Sequence, residues 1–345
     1  MADLSPPEAS PPEKNAPSPA APGTASDGSA ARSRPDPFDF NFVDDLKAFG
    51  AWCRRSPVQL FSLLAIAGVL TVYLYGLNLF FLGTFSFSRW AWVNWDPEGP
   101  YGHCRLIPWI VLGLLWLKRY DLAAIRAKGS NWGLLPLGFA ILLFIASVRT
   151  VQPRFIIISF PFLLYGSVLF AWGKEAARHF VFPSFLLFFL LPLAQLEEKT
   201  FQLQFVITDV VGFLARFFDI GIRAVGTTLT ATDNTFNFEI AEGCSGIRSL
   251  AAMVMLTTVY VYLTQDRMWK KLLIFACSVG FAVIGNIGRI FTVVLVAKYY
   301  DPEFASGMYH DYSGYVFFPI AVVAMLLFAK FLNLPFFNRK RQPAA

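Results

Sequence analysis

The chain has 345 residues, a net charge of +6, 56% hydrophobic residues and only 15% charged ones. With its positive mean hydropathy, this balance excludes an ordinary soluble domain, whose elements would carry charged faces throughout. The basic surplus is no argument for nucleic acid, since Lys and Arg collect in the cytoplasmic loops of membrane proteins, and no nucleic-acid partner is expected.

Residues 1–36 are rich in Pro, Ala and Ser, as in PPEASPPEKNAPSPAAPG. Such a segment buries too little apolar area to offset its ordering entropy, so it reads as a disordered tail. No basic stretch leads into an early apolar core with a small-residue cleavage site, so a signal peptide is not expected there. Residues 37–57 form a juxtamembrane segment ending near Arg54 and Arg55. Apolar runs follow at 58–82, 106–117, 133–148, 155–172, 179–196, 244–264, 272–297 and 314–334. Several approach the roughly 20 residues that crossing a bilayer requires. The second and third are short and either extend into their flanks or are partly re-entrant. The prediction is an all-α, polytopic transmembrane helical bundle of about eight spans at 58–334, with the lipid bilayer as its first partner.

Basic clusters at 54–55, 118–128, 174–178, 267–271 and 339–341 all fall on one side of such a bundle. That side is cytoplasmic by the positive-inside rule. Both termini then face the cytoplasm, and residues 335–345 are a basic cytoplasmic tail. The longest opposite segment, about 197–243, mixes apolar residues with Asp209, Arg216, Asp219 and Arg223, which fits a helix in the outer interface. TLTATDNTFNFEIAEG then reads as a short hairpin.

The four cysteines, Cys53, Cys104, Cys244 and Cys277, include no CxxC pair. There is no H-E-x-x-H helix, so neither a metal nor a cofactor is expected. Cys244 stands at the outer end of the sixth run, in its first turn. Orphan N–H groups and the helix dipole there favour a thiolate. Arg248, four residues on and on about the same face, either stabilises that thiolate or pairs with Glu242.

Asn286 and Arg289 interrupt the seventh run three residues apart. From Lys271 to Arg289 is about 27 Å of helix, so Arg289 falls near the outer boundary of a core about 30 Å thick. An Arg there either snorkels to headgroups or, with Asn286 beside it, faces an inward polar site. His310 precedes the last run at the same level, where an imidazole exchanges protons near neutral pH. A thiol, a guanidinium and an imidazole at one membrane level point to acyl chemistry.

CSGIRSL (Cys244 to Leu250), the N-x-x-R pair Asn286 and Arg289, HDYSG from His310, and WVNWDPEGPYGHCRLIP from Trp92 to Pro108 together resemble the exosortase/archaeosortase family. These are membrane cysteine transpeptidase-like enzymes, and the likeness covers about 58–334. It implies Cys244 as nucleophile, His310 as acid/base and Arg289 as stabiliser of the oxyanion or thiolate. Arg248, Asn286, His103 and Asp96 enter as accessory residues. The family's usual Gly after the upstream His is Cys104 here. The implied partners are exported proteins with a C-terminal sorting signal: a short motif such as Pro-Glu-Pro, a transmembrane helix, then a basic cluster. Family enzymes cut on the outer face of the bacterial inner membrane, often alongside exopolysaccharide assembly. Two rival classes follow from the residues themselves. One is a transporter or flippase using Asn286 and Arg289 in a polar pathway. The other is a zinc protease built from His103, Cys104, Cys244 and His310.

Overall fold

The computed structural model describes residues 42–55, isolated positions between 57 and 68, then 87–96, 99, 101–192, 194–239 and 246–334. The expected tail at 1–36, the run at 58–82, Cys244 and the basic tail at 335–345 lie wholly or mostly outside these. The described chain is helical in all but one small region. In order come α1 (Phe42–Arg55), α2 (Phe87–Asn94), a 3-10 turn (Gly102–Leu106), α3 (Ile107–Leu117), α4 (Arg119–Ala124), α5 (Leu134–Thr150), α6 (Arg154–Trp172), α7 (Lys174–Leu186) and α8 (Ala194–Phe217). Strands β1 (Ile222–Val225), β2 (Thr228–Ala231) and β3 (Asn237–Glu239) follow, then α9 (Ile247–Thr264), α10 (Met268–Tyr299) and α11 (His310–Leu332).

Among the described residues five helical stretches are long and apolar enough to cross a membrane: Asn131–Thr150, Arg154–Trp172, Ile247–Thr264, Met268–Tyr299 and Pro302–Leu332. The fold is therefore the expected all-α polytopic one. Two expected spans take other forms. Gly102–Leu117 is a shorter apolar helix. The run at 179–196 is divided: α7 continues as a 3-10 turn to Leu190, and Leu191 is extended (φ −79°, ψ 116°). Pro192 follows it, and the ring of a proline pushes the preceding residue out of the helical region.

Two helical groups share α9. Its Met255 is buried with Phe87, Cys104, Ile107, Ile156 and Leu186. Its Met253 and Val261 are buried instead with Ala282 of α10 and Ala321 and Met325 of α11. The antiparallel α10–α11 pair packs closely because a Cβ on Gly285 would stand 3.0 Å from the Cβ of Ala321. Small residues at such crossings let backbones approach and gain dispersion contacts that lipid cannot supply. The other end of the pair is tied by Lys270, whose Nζ donates to the Leu332 carbonyl (2.7 Å) and Asn333 Oδ1 (2.9 Å). A cation there answers both the orphan carbonyls and the dipole of α11.

The segment after α8 departs from expectation. The helix expected within the 197–243 segment is α8, which stops at Phe217. Asp219 adopts φ 53°, its N–H donates to the Arg216 carbonyl, and the Ile220 N–H donates to Ala215 (2.9 Å). This is a Schellman stop with an Asp in the left-handed position. The expected hairpin is a three-stranded antiparallel meander, β1-β2-β3, that pairs Ile222 with Ala231 and Leu229 with Phe238. It packs with α8 against one end of α10, burying Ile207, Val211, Leu229, Ile290 and Val294 together. At 1.5 Å per residue the 32 residues of α10 extend about 48 Å, well beyond a hydrocarbon core of about 30 Å. The sheet and α8 cover the excess.

Candidate active site

Arg289 lies where α10 meets the first turn of α11. The chain reverses between them through Asp301, whose Oδ1 accepts from the Phe304 N–H (2.6 Å), and through a π-turn over Ala305–Tyr309. Gly307 in that turn is non-helical (φ −93°, ψ −108°), so α11 starts afresh at His310. The start delivers three groups to the guanidinium. Arg289 Nη2 donates to the His310 carbonyl (2.9 Å) and stands 3.3 Å from His310 Nε2. Its Nε donates to Ser313 Oγ (3.1 Å), and that hydroxyl donates to the His310 carbonyl (2.9 Å). On the far edge of the ring, Nδ1 is 3.4 Å from Asp311 Oδ1. A guanidinium has no acceptor, so in this arrangement Nε2 accepts and Nδ1 carries the proton toward Asp311.

The charges acting on the ring are the Arg289 guanidinium, the Asp311 carboxylate and, more weakly, the Arg248 guanidinium. Arg248 is exposed on the first turn of α9. Asn286, one turn before Arg289, is 5% exposed. It presses on Gly246, the N-cap of α9, whose φ of 76° belongs to the left-handed region. A Cβ on Gly246 would stand 2.6 Å from Asn286 Cγ, so both the backbone conformation and the space demand glycine here. The α9 entry and the Arg289 turn of α10 are thus held in register. Between them opens a narrow cleft of about 30 Å³ lined by Ser249, Asn286, Arg289, Gly314, Phe317 and Ala321, among others. It joins a polar head at Arg289 to an apolar wall.

Of the residues singled out from sequence, Asn286, Arg289 and His310 therefore meet, with Arg248 nearby. Cys244 is two residues before Gly246 and lies outside the described residues. His103 and Asp96 come from a different segment, whose 3-10 turn (Gly102–Leu106) packs against α9. The 92–105 segment folds back on itself, with the Arg105 guanidinium 4.2 Å from the Trp92 ring centroid and its Nη2 donating to the Trp92 carbonyl (3.0 Å). Asp96 is exposed there. His103 is on the 3-10 turn beside Cys104, a free thiol, fully buried, that donates to the Phe189 carbonyl (3.3 Å). That turn belongs to the cluster meeting α9 through Met255, whereas α10 and α11 meet it through Met253.

Ser313 was missed. Its signal was present in HDYSG: three residues after His310 means one helical face. What could not be read was that Arg289 would reach the same face from another helix.

No curated protein and no solved structure matches the chain. A family model does, over residues 92–328: Transmembrane exosortase (Exosortase_EpsH). The match begins at the Trp92 segment, takes in the α9 entry and the Arg289–His310 turn, and ends within α11. With more than half of its length matched, the chain belongs to the transmembrane exosortase family and is, at family level, a membrane sorting enzyme.

Proposed function

We propose that this protein is a cysteine peptidase/transpeptidase that cuts exported proteins at a C-terminal sorting signal on the extracytoplasmic face of the inner membrane. The observation that carries the reading is the direct Arg289–His310 contact, 3.3 Å from guanidinium to imidazole, beside the entry to α9. Cys244 precedes Gly246 by two residues, which is at most about 7 Å of backbone. Gly246 in turn touches Asn286, one turn from Arg289. The described residue nearest Cys244 in sequence, Gly246, therefore borders the turn of α10 that leads to Arg289.

The chemistry follows from residue type. The Cys244 thiolate attacks the scissile carbonyl, and Arg289 donates to the oxygen as charge develops there. His310 Nε2, carrying the proton it took from the Cys244 thiol, gives that proton to the departing amine as the C–N bond breaks, leaving a thioester. Water or an amine acceptor then attacks the thioester, giving its proton to His310, and the thiolate leaves as the C–S bond breaks. A substrate anchored by its own transmembrane helix meets the site in two dimensions, which supplies proximity without a search in solution.

The test is co-expression with a reporter ending in a motif, a transmembrane helix and a basic cluster. Cys244→Ala and Cys244→Ser are expected to abolish processing at unchanged protein level. Arg289→Lys is expected to fail as well, because an ammonium lacks the planar two-donor edge. Full processing by either Cys244 variant would refute the reading. Processing lost to chelators but insensitive to thiol alkylation would favour a metal site, and transport that survives Cys244→Ala would favour a carrier.

A further inference from the structure

Ser313 is 4% exposed, and its hydroxyl makes two bonds at once: it accepts from Arg289 Nε (3.1 Å) and donates to the His310 carbonyl (2.9 Å). The second bond alone is ordinary. Ser249 and Ser278 return a bond to the carbonyl three residues earlier in the same way. The first bond sets Ser313 apart, because it brings a charged side chain from another helix onto the hydroxyl. The result is a closed ring: Arg289 to Ser313, Ser313 to the His310 carbonyl, and that carbonyl back to Arg289 Nη2 (2.9 Å).

This ring fixes one edge of the guanidinium while its Nη2 also stands 3.3 Å from His310 Nε2. There is a consequence for the reaction. Nε2 cannot take a thiol proton while it accepts from Arg289. The guanidinium must transfer Nη2 from the ring to a substrate oxygen without leaving the site. A long, flexible Arg would normally lose its position on doing so; an anchor at Nε prevents that.

We infer that Ser313 is a positioning residue for the proposed reaction: it pins Arg289 through Nε so that Nη2 exchanges between His310 and an incoming oxyanion. The inference rests on the reading above. The groups that bear on it are Arg289 from α10, Asp311 from α11 itself and Arg248 from α9.

The test uses purified full-length protein in nanodiscs and N-ethylmaleimide as probe. The alkylation rate of Cys244 is followed from about pH 5 to 9 by mass spectrometry, since it reports the thiolate. Ser313→Ala is expected to move the midpoint by at least about 0.5 pH unit and to slow reporter processing about tenfold, the worth of one charge-assisted hydrogen bond. The same substitution in an Arg289→Ala background, or Arg289→Gln if that does not accumulate, is expected to add nothing further. Two results overturn the inference: Ser313→Ala matching the parent protein on both measures, or its effect persisting in full without Arg289. The underlying reading fails separately, if Arg289→Lys and His310→Ala both leave the Cys244 profile unmoved.

Discussion

At the scale of single residues, the site is held by contacts that leave little freedom. Gly246 is the clearest case. Its φ of 76° and the 2.6 Å approach of a would-be Cβ to Asn286 make Gly246→Ala costly twice over. Left-handed strain alone is worth about 1–2 kcal/mol, and the clash with a buried amide adds to it. A lowered unfolding midpoint in detergent, with processing lost in step, is the expected outcome. A variant as stable and active as the parent would show that the α9 entry is not locked to α10. Removing Asn286 as well, in Gly246→Ala/Asn286→Ala, is expected to recover part of the stability, because the space is restored while the φ strain remains.

At the scale of elements, the termini of α10 have distinct jobs. At its start, buried Lys270 holds the Leu332 carbonyl at the end of α11 and the Asn333 side chain. Lys270→Met keeps the apolar stem and loses the cap, at an expected cost of about 1–3 kcal/mol, read as a lower unfolding midpoint with the Arg289 site intact. At its end, Lys298 pairs with Asp233 in the β2–β3 turn. That ion pair, helped by the hydroxyl and N–H of Thr235, holds the Asp233 carboxyl well below the usual carboxylate range. A carboxyl depressed in the folded state stabilises it at every pH above the unfolded value of about 4, and the benefit is lost only as pH falls through the folded value. The tie therefore persists across the neutral range. Asp233→Asn is expected to speed proteolysis in the turn between β2 and β3 at pH 7, with equal rates in both proteins showing that the pair is idle.

At the scale of the molecule, α10 outruns the bilayer, and what covers its excess is amphipathic. Phe213 and Phe217 on α8 are 59% and 71% exposed, and Phe217 packs edge-on to Phe218 at 5.1 Å. Such a phenylalanine face suits the headgroup region, and the expected topology has the sheet, Arg289 and His310 near one membrane surface and Lys270 near the other. In a cysteine-free background, a cysteine introduced at Thr235 is expected to react with a membrane-impermeant maleimide added to intact spheroplasts. One introduced at Arg267 is expected to react only after lysis. The reverse pattern would invert the topology and move the proposed site to the cytoplasm.

Much of this was legible in the chain itself. Length of apolar runs and the side on which basic residues collect are local properties, so a polytopic helical bundle followed from counting. The site residues were legible as types: Asn286 and Arg289 are conspicuous because charge in an apolar run is expensive. Three things were not legible. The end of α8 at Asp219 depends on one residue accepting a left-handed backbone, which Asp does often enough to permit but too rarely to predict. Division of the 179–196 run needed the Leu191–Pro192 step to be weighed above hydropathy. Ser313 needed two helices in register, and register is decided by how Gly285 meets Ala321 and how Gly246 meets Asn286. Hydropathy and spacing act along one helix at a time, whereas a hydrogen bond from Arg289 to Ser313 exists only once side chains from different helices are packed to within a few tenths of an ångström.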